Sequence, residues 1–375
     1  MAPPPVDAQW RAAEPRSVDG PWPAVAIVAR GGTGGSSSAA AEVALALAAS
    51  GRRTAVFSRD PIPRLGPLPG EAAGSDGGGA ANPLAVLALL AEPGPQLEEA
   101  LHREHRRAPF DIVHVHFGGP HLCDAVRFVT RATPRPALVL TLHGSDVHAH
   151  RLGAARLETS QCDAVAVPSN WLQGQCDDLF DDIQVVPNFL DAARWGTGDN
   201  PLLRARGERL MFAGHLEPWK GPDVLVAALL QLAGRAVVLD VLGDGSLAQS
   251  LAHAADPRVR FWGAVPLGPA RLGAADLYIV PSRREAFGMG ALEAMARGVP
   301  VVASAVGGLR DLVAPVGTLV EPGDPRALAE AVAACLDDRP ARIRSASDGL
   351  ALVREKYDRD PGLARHLRLY ACRRD

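Results

Sequence analysis

Lysine is scarce in this chain. Of 39 basic residues only Lys220 and Lys356 are lysines, so the setting of each carries more information than a lysine usually would. Basic charge in excess is also lacking: 42 acidic residues leave a net charge of −3, without the basic stripe of a dedicated nucleic-acid binder. No run of about 18 uncharged apolar residues occurs, which argues against a membrane-spanning helix. The five cysteines, at positions 123, 162, 176, 335 and 372, include no CxxC pair. They read as reduced thiols in a reducing compartment, not as a disulfide frame or a zinc site. Without a strict Gly repeat or a sustained heptad, collagen-like and coiled-coil classes are excluded. The opening Met1–Pro23 is polar and Pro-rich and lacks a charged segment followed by an apolar one, so it does not read as a signal peptide. The expected location is the cytoplasm. What is present is 47% hydrophobic and 22% charged residues over 375 positions. That is enough apolar surface for a packed core, and enough length for two to three domains.

Short β-branched runs alternate with longer Ala/Leu-rich stretches, the sign of βαβ units and parallel sheets. In the first half, strands are expected at 24–29, 54–58, 111–116, 137–142, 164–167 and 184–186. A helix is expected over 39–50, closed by Gly51. Another is expected from Asn82, with Pro83 at its first position. The Gly/Pro-rich stretch 61–81 reads as a mobile surface loop. The pattern then restarts, with strands expected at 209–213, 236–242, 259–262, 277–280, 301–303 and 318–320. The expected organisation is a flexible tail at 1–22, a first Rossmann-like domain at 23–190, a linker at 191–200, a second domain at 201–358, and a terminal helix within 359–375, spanning 361–373, that packs back on the first domain. The fold class is α/β, with two doubly wound parallel sheets. Ligands of such sheets bind outside the carboxyl ends of the strands, so the expected site is the cleft between the two domains.

The segment 276–310 carries the most chemistry. A buried strand ends at Pro281, a short loop SRREAFG follows, and a helix starts near Met289. Glu285 lies before the helix and Glu293 inside it, with seven residues between them, so both carboxylates can face one side near the helix start. The backbone amides of Phe287, Gly288, Met289, Gly290 and Ala291 suit a phosphate there, because unpaired N–H groups and the helix dipole both favour an anion. A carboxylate beyond the phosphate accepts from vicinal sugar hydroxyls. The pattern fits a nucleotide-sugar cradle; a solvated helix with a dipole-complementing Glu is the plain alternative. The loop Gly31-Gly32-Thr33-Gly34-Gly35 matches neither a dinucleotide fingerprint, whose spacing it misses, nor a P-loop, which needs a following Lys. It reads as a flexible loop whose bare backbone approaches a ligand.

PSRREAFGMGALEAMARGVPVVAS resembles the E-x7-E signature of the retaining glycosyltransferases of family 4, which have the GT-B fold. ARGGTGGSS, DIVHVHFGG, TLHGSDVH, VAVPSN, VVPNFLD, FAGHLEPWKG, VLGDGSL, FWGAV and VGTLVEPGDP follow the family order, so the resemblance covers about residues 24 to 335. HVHF followed by HGSD and PNFLD is especially similar to the branch that includes N-acetylglucosaminyl-malate synthase of bacillithiol assembly. The resemblance implies that Glu285 contacts the donor hexose and Glu293 the ribose. It implies that Lys220 holds the donor diphosphate. His215 stands where the family has an arginine, so the grip is expected to rest on Lys220, the helix start and one of Arg283 or Arg284. His143 is implied to contact the donor sugar near the reacting carbon. Gly32 belongs to the donor side. Gly31, His116 and Asp146 are assigned to the acceptor side, Asp146 also as an orderer of its loop. The cluster His143, Asp146, His148, His150 fits no standard zinc frame, and the family needs no metal for its chemistry.

The implied reaction is transfer of a hexose, N-acetylglucosamine or glucose first, from a UDP-sugar to a hydroxyl of a small polar or natural-product acceptor, with retention and with no cofactor. The implied partners are the nucleotide-sugar donor and a small-molecule acceptor, with no nucleic acid and no integral membrane segment; a homodimer is one arrangement the sequence allows. Residues 1 to 190 hold 15 Arg against 20 Asp plus Glu, a net of −5, which disfavours docking on anionic membranes. Two rivals stand beside this reading: a nucleotide-sugar epimerase or hydrolase of the same fold, and a non-catalytic sugar-nucleotide-binding partner subunit. A nicotinamide oxidoreductase is more distant, because the fingerprint fails.

Overall fold

The computed structural model describes residues 23–371 apart from 33, 66–85, 91, 154–156, 158, 181, 197–208 and 254–255. The expected tail, Asn82 and Pro83, most of the expected 61–81 loop and the last residues of the terminal helix therefore lie outside the described residues. Two compact units emerge: one holds the described residues to Pro187 and from Gly362 onward, the other Asn188–Pro361.

The first unit contains β1 (Val25–Ala29), β2 (Thr54–Ser58), β3 (Val86–Leu90), β4 (Ile112–His116), β5 (Ala137–Thr141), β6 (Ala164–Val167) and β7 (Ile183–Val185). They form one parallel sheet in the order β3-β2-β1-β4-β5-β6-β7. Every residue of β1, β2, β4 and β5 is buried, as in parallel sheets covered by helices on both faces, so these strands read as continuous apolar runs. The helix after β1 runs Gly35–Ala49, four residues closer to the glycine loop than expected, and Gly51 closes it at φ +81°.

The helix expected from Asn82 is corrected where the chain is described. Val86–Leu90 is an edge strand, paired in parallel with β2 from Thr54↔Val86 to Ser58↔Leu90. Leu and Ala in VLALL favour helix intrinsically, and pairing along the open edge of β2 overrides that weak preference.

The second unit contains β8 (Arg209–Ala213), β9 (Val238–Leu242), β10 (Val259–Phe261), β11 (Leu277–Val280), β12 (Val301–Ser304) and β13 (Thr318–Val320), parallel in the order β10-β9-β8-β11-β12-β13. Alternation along the strands feeds two apolar layers. Leu210, Phe212, Leu277 and Ile279 pack with Val224, Leu225 and Leu229 of helix Pro222–Gln231 and with Leu328 and Val332 of helix Pro325–Asp337. Met211, Tyr278 and Val280 face the other way, onto Ala291, Leu292 and Met295 of helix Met289–Ala296.

The terminal helix spans Arg359–Ala371, and its residues from Gly362 cluster with the first unit. There Tyr370 hydrogen-bonds His114 of β4 at 2.9 Å. Among the described residues no helix is long and apolar enough to cross a membrane.

Candidate active site

In the second sheet the strand order reverses between β8 and β11: the chain leaves β8 toward β9 and β10, then returns to build β11 on the other side. The helices that follow β8 and β11 pack on opposite faces of the sheet, the topology at whose carboxyl ends parallel sheets bind ligands. Lys220 lies on the loop leaving β8 and Glu285 on the loop leaving β11, and Lys220 Nζ stands 2.5 Å from Glu285 Oε2. Lys220 occupies the last position of the one-turn helix Pro218–Lys220. Gly221 follows at φ +66°, where a Cβ would lie 2.1 Å from the Pro281 carbonyl oxygen. Only glycine permits that backbone and that approach, so the two loops touch where the charged pair forms.

Helix Met289–Ala296 begins after Gly288, which is at φ +107° and gives no side-chain cap. The first N–H groups of a helix have no partner within it, and the dipole is positive at that end. Phe287 and Met289 are buried in the core, Phe287 edge-to-face with Tyr357 at 5.9 Å between centroids. What these two positions can offer a ligand is their backbone. Glu293 is 5% exposed, on the same short helix. Tyr278 lies beneath: its hydroxyl donates to the Ala213 carbonyl at 3.1 Å, and a Cβ on Gly290 would meet that hydroxyl at 2.4 Å. Burial, then the nearby carboxylates of Glu293 and Glu285, push the phenol above its usual range, so it stays neutral.

Further bonds tie the Lys220 loop to its neighbours. Glu217 accepts from the amide of Ser246 at 2.9 Å and from its hydroxyl at 2.6 Å. These bonds, with His215 nearby, hold its carboxyl below the usual range. On the other side Arg283 donates to both oxygens of Asp223, at 2.8 and 2.6 Å, and to the Pro218 carbonyl at 2.7 Å. Arg283, one of two candidates for the diphosphate grip, commits three of its N–H groups to this loop. His215, in the arginine position of the family pattern, is exposed.

The first unit brings together His116, His143 and Asp146 at the carboxyl ends of β4 and β5. His116 Nδ1 and His143 Nε2 are 3.1 Å apart and their rings stack at 5.3 Å. His114 lies 4.2 Å from the His116 ring and is satisfied by Tyr370 and by Thr141 Oγ1 at 2.8 Å. The Nε2 atom of His116 is buried without a hydrogen-bond partner. Burial, reinforced by His366, lowers the His143 imidazole to about 4, and burial together with neighbouring histidines holds His114 and His116 well below 6.5. All three are neutral near pH 7.

Asp146 is 1% exposed and accepts from three backbone amides: Gly118 at 3.0 Å, Val147 at 2.9 Å and His143 at 3.0 Å. It fastens the exit of β4 to that of β5 beside Phe117, which adopts φ +90°, an uncommon conformation for a residue with a side chain. Gly31 is held against the neighbouring loop: a Cβ there would lie 2.2 Å from the Asp60 carbonyl oxygen, whereas Gly32 faces open space. Among the described residues no group of three or more His, Cys, Asp or Glu is placed to hold a metal ion. Tyr278, the Arg283–Asp223 pair and the His114–Tyr370 link escaped the sequence reading. Their partners lie 60 or more residues away, and no spacing rule connects them.

Two parallel Rossmann-like sheets, each with side-chain chemistry at its strand ends, define the GT-B class of glycosyltransferase folds. A family model described as "Glycosyltransferase Family 4" matches residues 33–194, and one described as "Glycosyl transferases group 1" matches 207–338. A D-inositol 3-phosphate glycosyltransferase of Corynebacterium glutamicum (strain R) is 31% identical over 297 residues, 66% of this chain and 69% of that one. The enzyme of the same name from Xylanimonas cellulosilytica is 40% identical over 186 residues, 46% of this chain and 42% of that one. The chain belongs to the family 4 glycosyltransferases. It spans less than half the length of the Xylanimonas relative and about two thirds of the Corynebacterium one. Among solved structures, Anabaena Alr3699/HepE in complex with UDP and glucose superposes with a TM-score of 0.74 at 19% identity, covering 92% of this chain and 99% of that one, a likeness of fold.

Proposed function

We propose that this protein is a retaining glycosyltransferase that moves a hexose, N-acetylglucosamine or glucose, from a UDP-sugar to a hydroxyl of a small polar acceptor. The observation that carries the reading is the Lys220–Glu285 pair beside an uncapped helix start, at the reversal point of a parallel sheet. A cation and helix amides suit a diphosphate, and the carboxylate 2.5 Å from the cation suits the hydroxyls of the sugar attached to it. Family membership supports the same reading. UDP and glucose occupy the Anabaena structure, and D-inositol 3-phosphate figures in the names of the sequence relatives. Malate, which the branch resemblance suggests, is likewise a small polar acceptor.

In this reading the bond from the anomeric carbon to the diphosphate breaks as the acceptor oxygen bonds to that carbon on the same face. The acceptor proton passes to an oxygen of the departing diphosphate, so no protein nucleophile and no metal is needed. Lys220 and the amides from Phe287 to Gly290 stabilise the charge growing on the leaving group. Glu285 orients the hexose and Glu293 the ribose. Gly32 and His215 complete the donor side. His143, neutral at pH 7, contacts the transferred sugar as a hydrogen-bonding group. His116 and Gly31 are assigned to the acceptor side, with Asp146 fixing their loops. Incubation with a panel of nucleotide sugars, with and without pooled small acceptors, tests the proposal by released nucleotide and product mass. An α-linked glycoside formed only with acceptor supports it. Rapid conversion of donor alone supports the epimerase or hydrolase, and donor binding without turnover supports a partner subunit.

A further inference from the structure

We infer that Arg283 and Asp223 are positioning residues that set the reach of Lys220, and that neither touches the donor. The inference rests on the proposal that Lys220 meets the donor diphosphate. Lys220 ends a single helical turn, a short element with little stability of its own. Two of its carbonyls are held from the β11 loop. The amides of Arg283 and Arg284 both donate to the Trp219 carbonyl, at 2.8 and 3.2 Å. The Arg283 side chain donates to the Pro218 carbonyl and, through both terminal nitrogens, to Asp223. Asp223 stands in the first turn of helix Pro222–Gln231, directly after Gly221. Pro218 and Asp223, on either side of Lys220, are therefore clamped by one side chain from the β11 loop, two residues before Glu285, and Trp219 is held by the backbone of that loop. The clamp joins the two halves of the charged pair and fixes their separation.

Arg283 is itself a cation beside the site, so a direct phosphate contact is the competing role. The geometry separates the two roles. Three of the five N–H groups of Arg283 are committed, two to the Asp223 carboxylate in a fork and one to the Pro218 carbonyl, so a phosphate would have to be met by the remaining two without breaking that fork. Lysine cannot replace Arg283, since one ammonium does not span a carbonyl and both oxygens of a carboxylate.

The test is a double-mutant cycle on UDP affinity, read by calorimetry on the full chain, with thermal unfolding followed for each variant. Arg283→Met is expected to weaken UDP about tenfold, Asp223→Asn about threefold to tenfold, and Arg283→Lys to behave like Arg283→Met. In a Lys220→Ala background each is expected to add less than about twofold, because residues acting through one group are not additive. Effects that multiply in that background, or Asp223→Asn leaving UDP affinity intact while Arg283→Met abolishes it, would make Arg283 a direct phosphate ligand and overturn the inference. So would unchanged affinity in both single variants. If the unmutated chain binds no UDP, the donor-site proposal itself fails, which is a different result from a failed cycle.

Discussion

Replacing Lys220 by Ala removes the cation paired with Glu285 and leaves the fold in place. The pair is partly solvated, with 25% of the lysine side chain and 14% of the glutamate side chain exposed. An ion pair at such a rim contributes on the order of 1 kcal/mol or less to stability, so the melting temperature should move by only a few degrees. Catalysis should respond far more. A unit charge about 4 Å from a developing phosphate charge is worth roughly 4 kcal/mol at an effective dielectric of about 20. Part of that is already present in the bound ground state, which leaves a loss of about 10²-fold or more in turnover. The assay is initial-rate release of UDP with the best donor and acceptor of the panel, alongside thermal unfolding. Turnover within about threefold of the unmutated chain would refute the role given to Lys220. A collapse of the melting temperature would show that the pair is structural.

Gly290→Ala should destabilise the protein by about 1–3 kcal/mol, since the new methyl meets the Tyr278 hydroxyl at 2.4 Å. Tyr278→Phe alone should cost about 1 kcal/mol through the lost bond to Ala213, yet should relieve much of the Gly290→Ala cost; additive denaturation energies would contradict the packing. Asp146→Asn places an amide nitrogen among three N–H donors and should lower stability by about 2–3 kcal/mol and depress turnover, measured by urea titration and by rate. Acid should weaken the first unit. Burial lowers the His366 imidazole from 6.5 to about 4, so between those values the unfolded chain binds more protons than the folded one. Stability is thus retained above pH 6.5 and lost as the pH falls toward 4, by about 2 kcal/mol at pH 5 from this residue alone. Equal denaturation midpoints at pH 7 and pH 5 would contradict it.

Much of the sheet architecture was legible because fully buried parallel strands announce themselves as apolar runs: β2, β6, β8, β11 and β13 fall where the sequence places them. β3 was not, because VLALL has no β-branched residue after its first position, and edge pairing is a tertiary fact. In the candidate site, the family resemblance assigns Lys220 and Glu285 to one donor from two motif blocks 65 residues apart, but their direct 2.5 Å pairing is a fact of the fold that no motif states. The supports stayed hidden. Arg283 is an ordinary surface arginine until Asp223, Pro218 and Trp219 fold around it, and His114 is an ordinary strand residue until Tyr370 arrives from 256 residues away. At Gly31 the structure adds a constraint that the sequence does not show: a Cβ there would meet the Asp60 backbone.

The most direct measurement is a crystal structure of the chain with a UDP-sugar bound. The account predicts the pyrophosphate within hydrogen-bond reach of Lys220 Nζ and of the amides that open helix Met289–Ala296, with Glu285 on the hexose and Glu293 on the ribose. A nucleotide bound elsewhere, with Lys220 still closed on Glu285 and no phosphate beside it, would contradict it.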